Sequence, residues 1–394
     1  MDQLFAKDSF YEELDLKKHL SGVKIPLVQK YYVNIRVNRM PERKYADQVD
    51  KENELKLREI LKELPAFCRE FFIGIQHTTA SRTRLSYAYD LRVFFRYIQA
   101  NNPLYRDMPM HEIPITILDQ IQALDIEEFL SYVRVYTDPD GNEITNDERG
   151  IMRKLSTLRS FYKYYYSKEL IEKNPAVLVQ MPKLHKKNII RLDPDEVALL
   201  LDQVESGEGL TEKQKVYHNK TKKRDFALLT LLLGTGIRVS ECVGLNLSDV
   251  DFKDNGINVR RKGGSDAIVY FGPEVESALK DYMEERKEAK TYAEDEQALF
   301  LSLQGKRISV RAVENLVKKY AKTVTSLKKI TPHKLRSTYG TSLYRETGDI
   351  YLVADVLGHK DINTTRKHYA AVEEDRRKMA ATKVRLREDE DETS

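Results

Sequence analysis

The sequence predicts a mainly α protein with an α+β second half, and three observations carry that prediction. From Phe67 to about Met181, apolar residues recur at three- and four-residue steps, the spacing of one helix face. Further on, GINVRRKGGSDAIVYF alternates around Gly263-Gly264, the pattern of a single β-hairpin among helices. Between the two halves, Asn174-Pro175 and Pro182 break the helical pattern and a basic stretch follows. At 394 residues, two domains of ordinary size are expected.

Bulk properties narrow the class. Hydrophobic residues make up 41% of the chain, enough for real cores, and charged residues 32%, enough for a heavily solvated surface. The formal net charge of +4 neither requires nor excludes nucleic acid, because local clustering matters more than the sum. Cys68 and Cys242 lack CxxC spacing, so neither a disulfide framework nor a zinc site is expected, and a reducing cytoplasm fits. MDQLFAKDSFYEELD is acidic and unlike a signal peptide, and no apolar run approaches the ~18 residues of a membrane span. A soluble cytoplasmic protein is expected, with no membrane contact.

Residues 1–65 form an N-terminal extension to which no role is assigned. A helix is expected from about Val49 to Leu64, ended by Pro65, while LVQKYYVNIRV reads as strand or helix. Residues 66–182 form a helical domain. Leu85, Ala88, Leu91, Phe95 and Ile98 make one stripe, and Met152, Leu155, Leu158, Tyr162 and Tyr165 another; Asp125 and Glu128 stand in capping-box spacing. The opposite faces carry Arg82, Arg84, Arg153 and Arg159 among Thr79, Ser81, Lys154 and Lys163. Such charges ordinarily make a solvated face, but two basic faces with interspersed hydroxyls also suit phosphate contacts.

Residues 183–192 are a basic linker with Lys183, His185, Lys186, Lys187 and Arg191, and the domain boundary falls near residue 187. The second domain, 193–380, opens with Asp193, Pro194 and Glu196 as N-cap, N1 and N3 of a helix. DFALLTLLLGTGIRVSECVGL then reads as buried helix, glycine break and short helix. Arg238 lies just past Gly236 in an apolar setting where a guanidinium needs a partner or a phosphate, and Glu241 is the obvious structural partner. Lys262 ends the first hairpin strand, ordinarily a solubility device. Residues 381–394 are an acidic tail expected to be disordered.

The stretch around which the rest is organised is TPHKLRSTYGTSLYRETGDIYLVADVLGHKDINTTRKHY. Thr331 and Pro332 predict a helix start, with His333 and Arg336 on one face near the positive helix end. A second helix, roughly Ile350 to Leu357, ends at Gly358 with His359 on the turn beyond; a third, capped near Asn363, carries Tyr369. Arginine offers a planar fork to phosphate oxygens, histidine moves protons near neutral pH, and tyrosine is a nucleophile when its phenolate is favoured. Each residue alone is commonplace; the ordered set is not.

That ordered set, His-x-x-Arg, Leu-Gly-His and a Tyr ten residues on, resembles the C-terminal signature of the tyrosine recombinases, the phage integrase family. The likeness covers about residues 70–380, with the specific motifs within 225–369. It implies a two-domain DNA clamp, a helical core-binding domain followed by a catalytic domain. By the same resemblance Arg238, Lys262, His333, Arg336, His359 and Tyr369 are the catalytic set, and the basic linker lies against DNA. Ser337 departs from the histidine that frequently follows the second arginine. Tyr369 would attack a phosphodiester to leave a 3′-phosphotyrosyl link, with no metal and no cofactor. The implied partners are double-stranded DNA with a short inverted repeat, a dimer on one site and a homotetramer on two, and an accessory translocase or directionality factor. Xer-type resolution of chromosome dimers and integration or excision of a mobile element both fit. A type IB topoisomerase and a catalytically dead DNA-binding protein are the rival readings.

Overall fold

Apolar stripes decide which helices meet, and here they build two cores in chain order. The computed structural model describes residues 45–184, 190–261, 263–292, 295, 297–359 and 362, all within a unit that begins at Tyr45.

The first core is built by helices α1 (Tyr45–Lys62), α2 (Cys68–Gly74), α3 (Ser81–Asn101), α4 (Ile117–Gln120), α5 (Ala123–Tyr132) and α6 (Glu148–Ser167). Leu57 and Ile60 of α1 meet Phe71 and Phe72 of α2, the Ala88, Leu91, Phe94, Phe95 and Ile98 stripe of α3, and Leu155, Leu158, Phe161, Tyr162 and Tyr165 of α6. Aromatic rings lock the stripes edge to face, Phe71 on Phe161 and Phe94 on Phe129, each with centroids 5.1 Å apart. Helix α1 starts four residues earlier than its sequence suggests.

Two local expectations are corrected. Asp125 does not cap α5: it is the third residue of that helix, and its carboxylate accepts the Gln122 backbone N–H at 2.7 Å, so the helix begins at Ala123. Within the stretch read as helical, strands β1 (Val135–Thr137) and β2 (Glu143–Thr145) form an antiparallel hairpin. Its turn is organised by Asp138, whose Oδ1 accepts from the Asp140 and Asn142 backbones, and by Gly141 at φ 81°.

The second core is built by α7 (Pro194–Ser206), α8 (Glu212–His218), α9 (Lys222–Thr235), α10 (Val239–Gly244), strands β3 (Val250–Asp251), β4 (Gly256–Arg260) and β5 (Asp266–Tyr270), then α11 (Pro273–Lys287), α12 (Val310–Val324) and α13 (Pro332–Thr347), while α14 (Ile350–Leu357) packs Val353 and Leu357 with Tyr344 of α13 in a small cluster beside it. The mainly α class with small antiparallel sheets is thus what the chain adopts. Helix α9 is the axis: Ala227, Leu228, Leu229, Thr230, Leu231 and Leu232 are all buried, so it is covered on every side. Each such leucine contributes about 2 kcal/mol of burial. The three strands pair in the order β3-β4-β5, and Arg260 opposite Asp266 closes the hairpin.

Asp193 and Glu196 form the expected capping box at the start of α7, and Lys328 reaches both carboxylates, at 2.9 and 2.5 Å. The Leu192 N–H donates to Thr338 Oγ1 at 3.0 Å, which ties the end of the linker to α13. The two cores also touch through the first turn of α1, where Asp47 pairs with Arg260 at 2.9 Å and Tyr45 lies under the Arg307 guanidinium at 5.2 Å. No helix among the described residues is long and apolar enough to cross a membrane.

Candidate active site

Glycine places the first arginine. Helix α9 ends at Gly236, whose φ of 62° is left-handed and whose missing side chain matters: a Cβ there would stand 2.4 Å from Tyr339 Cδ1 on α13. That close approach brings α9 and α13 together and turns the chain outward at Arg238, the N-cap residue of α10. Glu241 Oε2 accepts the Arg238 backbone N–H and Oε1 accepts from its guanidinium, both at 2.8 Å, so the structural partner read from the sequence is in place.

Helix α13 starts after Thr331 with Pro332 in its first turn, as expected. One turn in, Arg336 is only 4% exposed; it donates from Nη1 to the Gly236 carbonyl at 2.6 Å and from Nη2 to the Leu357 carbonyl. His333 lies on the exposed side of the same turn. Helix α14 spans Ile350–Leu357, capped by Asp349 and ended by Gly358 at φ 60°. His359 follows, its backbone N–H donating to the Ala354 carbonyl at 2.8 Å.

The last carbonyls of α14 are the meeting point. Val356, Leu357 and Gly358 accept from Arg261, from Arg336 and Arg261, and from Arg238 respectively. A helix C-terminus carries partial negative charge and unpaired carbonyls, so it is a natural harbour for guanidinium groups. Three cations are thereby held beside one another, with His359 on the adjoining residue. Such a cluster can receive a phosphodiester; its charges are preset and need little rearrangement.

Residues 190–376 match the phage integrase family. The chain is 35% identical over 325 residues to a tyrosine recombinase XerC of Caldanaerobacter subterraneus subsp. tengcongensis, covering 80% of this chain and 86% of that one. The chain belongs to the tyrosine recombinase family. A tyrosine recombinase XerD of Staphylococcus epidermidis is 30% identical over 78% of this recombinase and 94% of its own length. Among solved structures, the XerH site-specific recombinase bound to a palindromic difH substrate matches with TM-score 0.59 at 20% identity, covering 84% of this chain and 89% of that one. The Tn1549 transposon integrase in complex with circular intermediate DNA matches with TM-score 0.56 at 22% identity, covering 79% and 98%. Both share the fold.

Of the six expected catalytic residues of this recombinase, Arg238, Arg336 and His359 gather at the end of α14, and His333 stands one turn before Arg336. Lys262 and Tyr369 lie outside the described residues, as do His185, Lys186 and Lys187 of the linker, the helix expected near Asn363 and the acidic tail. Lys183 is described and exposed.

The arginines expected to touch DNA from the first core behave differently from one another. Arg82 is exposed. Arg153 pairs with the buried Asp90 at 2.6 Å while about half its side chain remains in solvent. Arg84 is mostly buried and paired with Glu54 of α1. Arg159 donates to the carbonyls of Ala176 at 3.1 Å and Val179 at 2.6 Å, and so holds the segment leading to the linker. Lys154, read from the sequence as part of a polar face, is buried and bonded to Asn146 at 3.0 Å. Arg84, Arg159 and Lys154 are therefore tied to internal partners. Conversely, Arg261 joins the cation cluster at the end of α14 although its only sequence signal is its place as the middle basic residue of the run Arg260-Arg261-Lys262 at a hairpin tip.

Proposed function

We propose that this recombinase is of the Xer type, cutting and rejoining double-stranded DNA at a short inverted repeat through a 3′-phosphotyrosyl link to Tyr369. The observation that carries the reading is the meeting of Arg238 and Arg336 at the last carbonyls of α14, with His359 next in the chain. Relatives named tyrosine recombinase XerC and XerD, matched over most of their length, support the Xer assignment.

The chemistry follows from the groups. The Tyr369 hydroxyl oxygen bonds to phosphorus as the bond to the 5′-oxygen breaks. Arg238 and Arg336 neutralise the non-bridging oxygens, and His359 donates to one of them. Lys262 gives its proton to the departing 5′-oxygen, and His333 takes up the proton that the tyrosine loses. A 5′-hydroxyl from a second strand then attacks the phosphotyrosyl bond and releases Tyr369. The bond energy is kept throughout, so this sequence of steps calls for no nucleotide. The roles of Lys262 and Tyr369 rest on their places in the family signature.

The working assembly in this reading is a dimer on one site and a tetramer on two, acting on chromosomal DNA in the cytoplasm to resolve joined replicons. Covalent capture tests it. The protein is incubated with fragmented DNA from its own source, denatured, and the linked fragments are sequenced, with Tyr369→Phe as control. Ends stacked at one short inverted repeat, absent with Tyr369→Phe, are expected. Links scattered over the genome would point to a topoisomerase; DNA binding with no links would sink the catalytic reading.

A further inference from the structure

Arg261 directly precedes Lys262, yet its side chain is only 11% exposed at the tip of a hairpin, where an arginine is ordinarily solvated. Arg260, one residue earlier, is 36% exposed and pairs with Asp47. The Arg261 guanidinium crosses from the hairpin to the C-terminal end of α14. It donates from Nη2 to the Val356 carbonyl at 2.8 Å and from Nη1 to the Leu357 carbonyl at 3.4 Å, and Nη1 stands 3.6 Å from Glu241 Oε2. The fit is close. A Cβ on Gly358 would stand 3.0 Å from Arg261 Nε and 3.1 Å from Cζ, so the guanidinium lies tight against the turn that presents His359 and would have to yield by a few tenths of an ångström to any larger residue. The hairpin end is closed on Arg261 as well: its N–H donates to the Ser265 carbonyl at 2.7 Å, and its carbonyl accepts from Gly264 at 3.0 Å.

We propose that Arg261 is a positioning residue for the leaving-group side of strand cleavage: it clamps the β4–β5 hairpin to the end of α14, and so holds the segment carrying Lys262 in register with Arg238, Arg336 and His359. The proposal rests on the reading of Lys262 as the acid that protonates the 5′-oxygen. In this role Arg261 acts through Lys262 and not on the substrate itself. One of its two carbonyl acceptors, Leu357, also accepts from Arg336, so hairpin and cluster are indexed to one helix end. A clamp of this kind matters because a misplacement of about 1 Å costs on the order of 100-fold in rate.

A change of leaving group separates this role from general scaffolding. Link formation is measured in a single turnover with the full chain, on a duplex carrying the sequence recovered by covalent capture. One substrate has the ordinary phosphodiester at the cut, the other a 5′-bridging sulfur. With sulfur, the P–S bond breaks to a thiolate that needs no proton, so the acid becomes dispensable. Arg261→Ala is expected to be slower than the unaltered chain by about 100-fold on oxygen and within about 3-fold of it on sulfur. Lys262→Ala should show the same rescue, and Tyr369→Phe should form no link on either. Where thermal melting shows Arg261→Ala unfolded, Arg261→Lys carries the test, since an ammonium cannot span both carbonyls.

Equal loss on both substrates would overturn the proposal by assigning Arg261 to the phosphate or to the fold. Undiminished cleavage of the oxygen substrate would overturn it too. Failure of sulfur to rescue Lys262→Ala would instead remove the acid role of Lys262, and this proposal with it. No link from the unaltered chain would remove the recombinase reading altogether.

Discussion

Arg238 and Arg261 share one carboxylate: Glu241 faces the first through Oε1 at 2.8 Å and the second through Oε2 at 3.6 Å. The Glu241 side chain is 3% exposed and faces two guanidinium groups, the pairing that a buried carboxylate requires. Replacing it with glutamine keeps an acceptor for the Arg238 backbone but leaves the two cations facing each other. Glu241→Gln is expected to lower stability by about 2 kcal/mol, less than a wholly buried pair because Arg238 is partly in solvent. Urea unfolding measures it, and cleavage should slow as the arginines part.

Arg336 bridges the carbonyls of Gly236 and Leu357, ending α9 against α14. A lysine retains the charge but not the fork. Arg336→Lys should cut the rate of covalent-link formation by about 100-fold or more, the scale of one lost preorganised donor, while DNA affinity falls far less. Single-turnover cleavage beside a binding titration checks the split. Equal losses in both would mean that Arg336 serves ground-state binding.

Arg159 was expected at a DNA-facing surface and instead donates to two backbone carbonyls, of Ala176 and Val179. Arg159→Ala should therefore destabilise the first core by about 2 kcal/mol, the cost of orphaning those acceptors, and leave DNA affinity per folded molecule unchanged. Arg82→Ala, on an exposed residue, should do the reverse. Thermal melts and salt-dependent binding of the two variants separate the cases.

His218 is buried against Tyr320, Nδ1 to Oη at 2.9 Å, and Tyr320 donates onward to Asp225 at 3.0 Å. Burial and then the Lys319 ammonium push its pKa below the ordinary 6.5, against the pull of Asp225. The unfolded chain therefore binds the proton more readily than the folded one. Stability should fall as pH drops below about 6.5 and continue to fall until the folded-state pKa is passed. His218→Asn should flatten that slope in thermal melts between pH 7.5 and 5; an unchanged slope would shift the effect to other groups.

Local chemistry was the legible part of this molecule. Pro332 and Gly358 mark helix ends because their effects act within one turn, and the Asp193 and Glu196 capping box is likewise contained in four residues. The order of Arg238, His333, Arg336 and His359 was legible through its resemblance to the family signature. What escaped was whatever depends on a distant segment. The face of α6 looks solvated on a helical wheel, yet Ala176 and Val179 return to cover Arg159. Arg261 finds its acceptors about 95 residues away, and no pattern inside a hairpin reveals that. The hairpin of β1 and β2, three residues to a strand, is too short to interrupt a helical periodicity.

The arginines at the heart of the site are held chiefly by peptide oxygens at the end of α14, with Glu241 as the acidic exception. Peptide carbonyls do not ionise between acid and alkaline extremes, and they carry no mobile proton to be exchanged with the reacting groups. The peptide-oxygen part of the framework that holds these arginines is accordingly silent to titration over the working range. A bell in the pH–rate curve is then to be sought in the proton-carrying groups and in Glu241, not in these peptide acceptors.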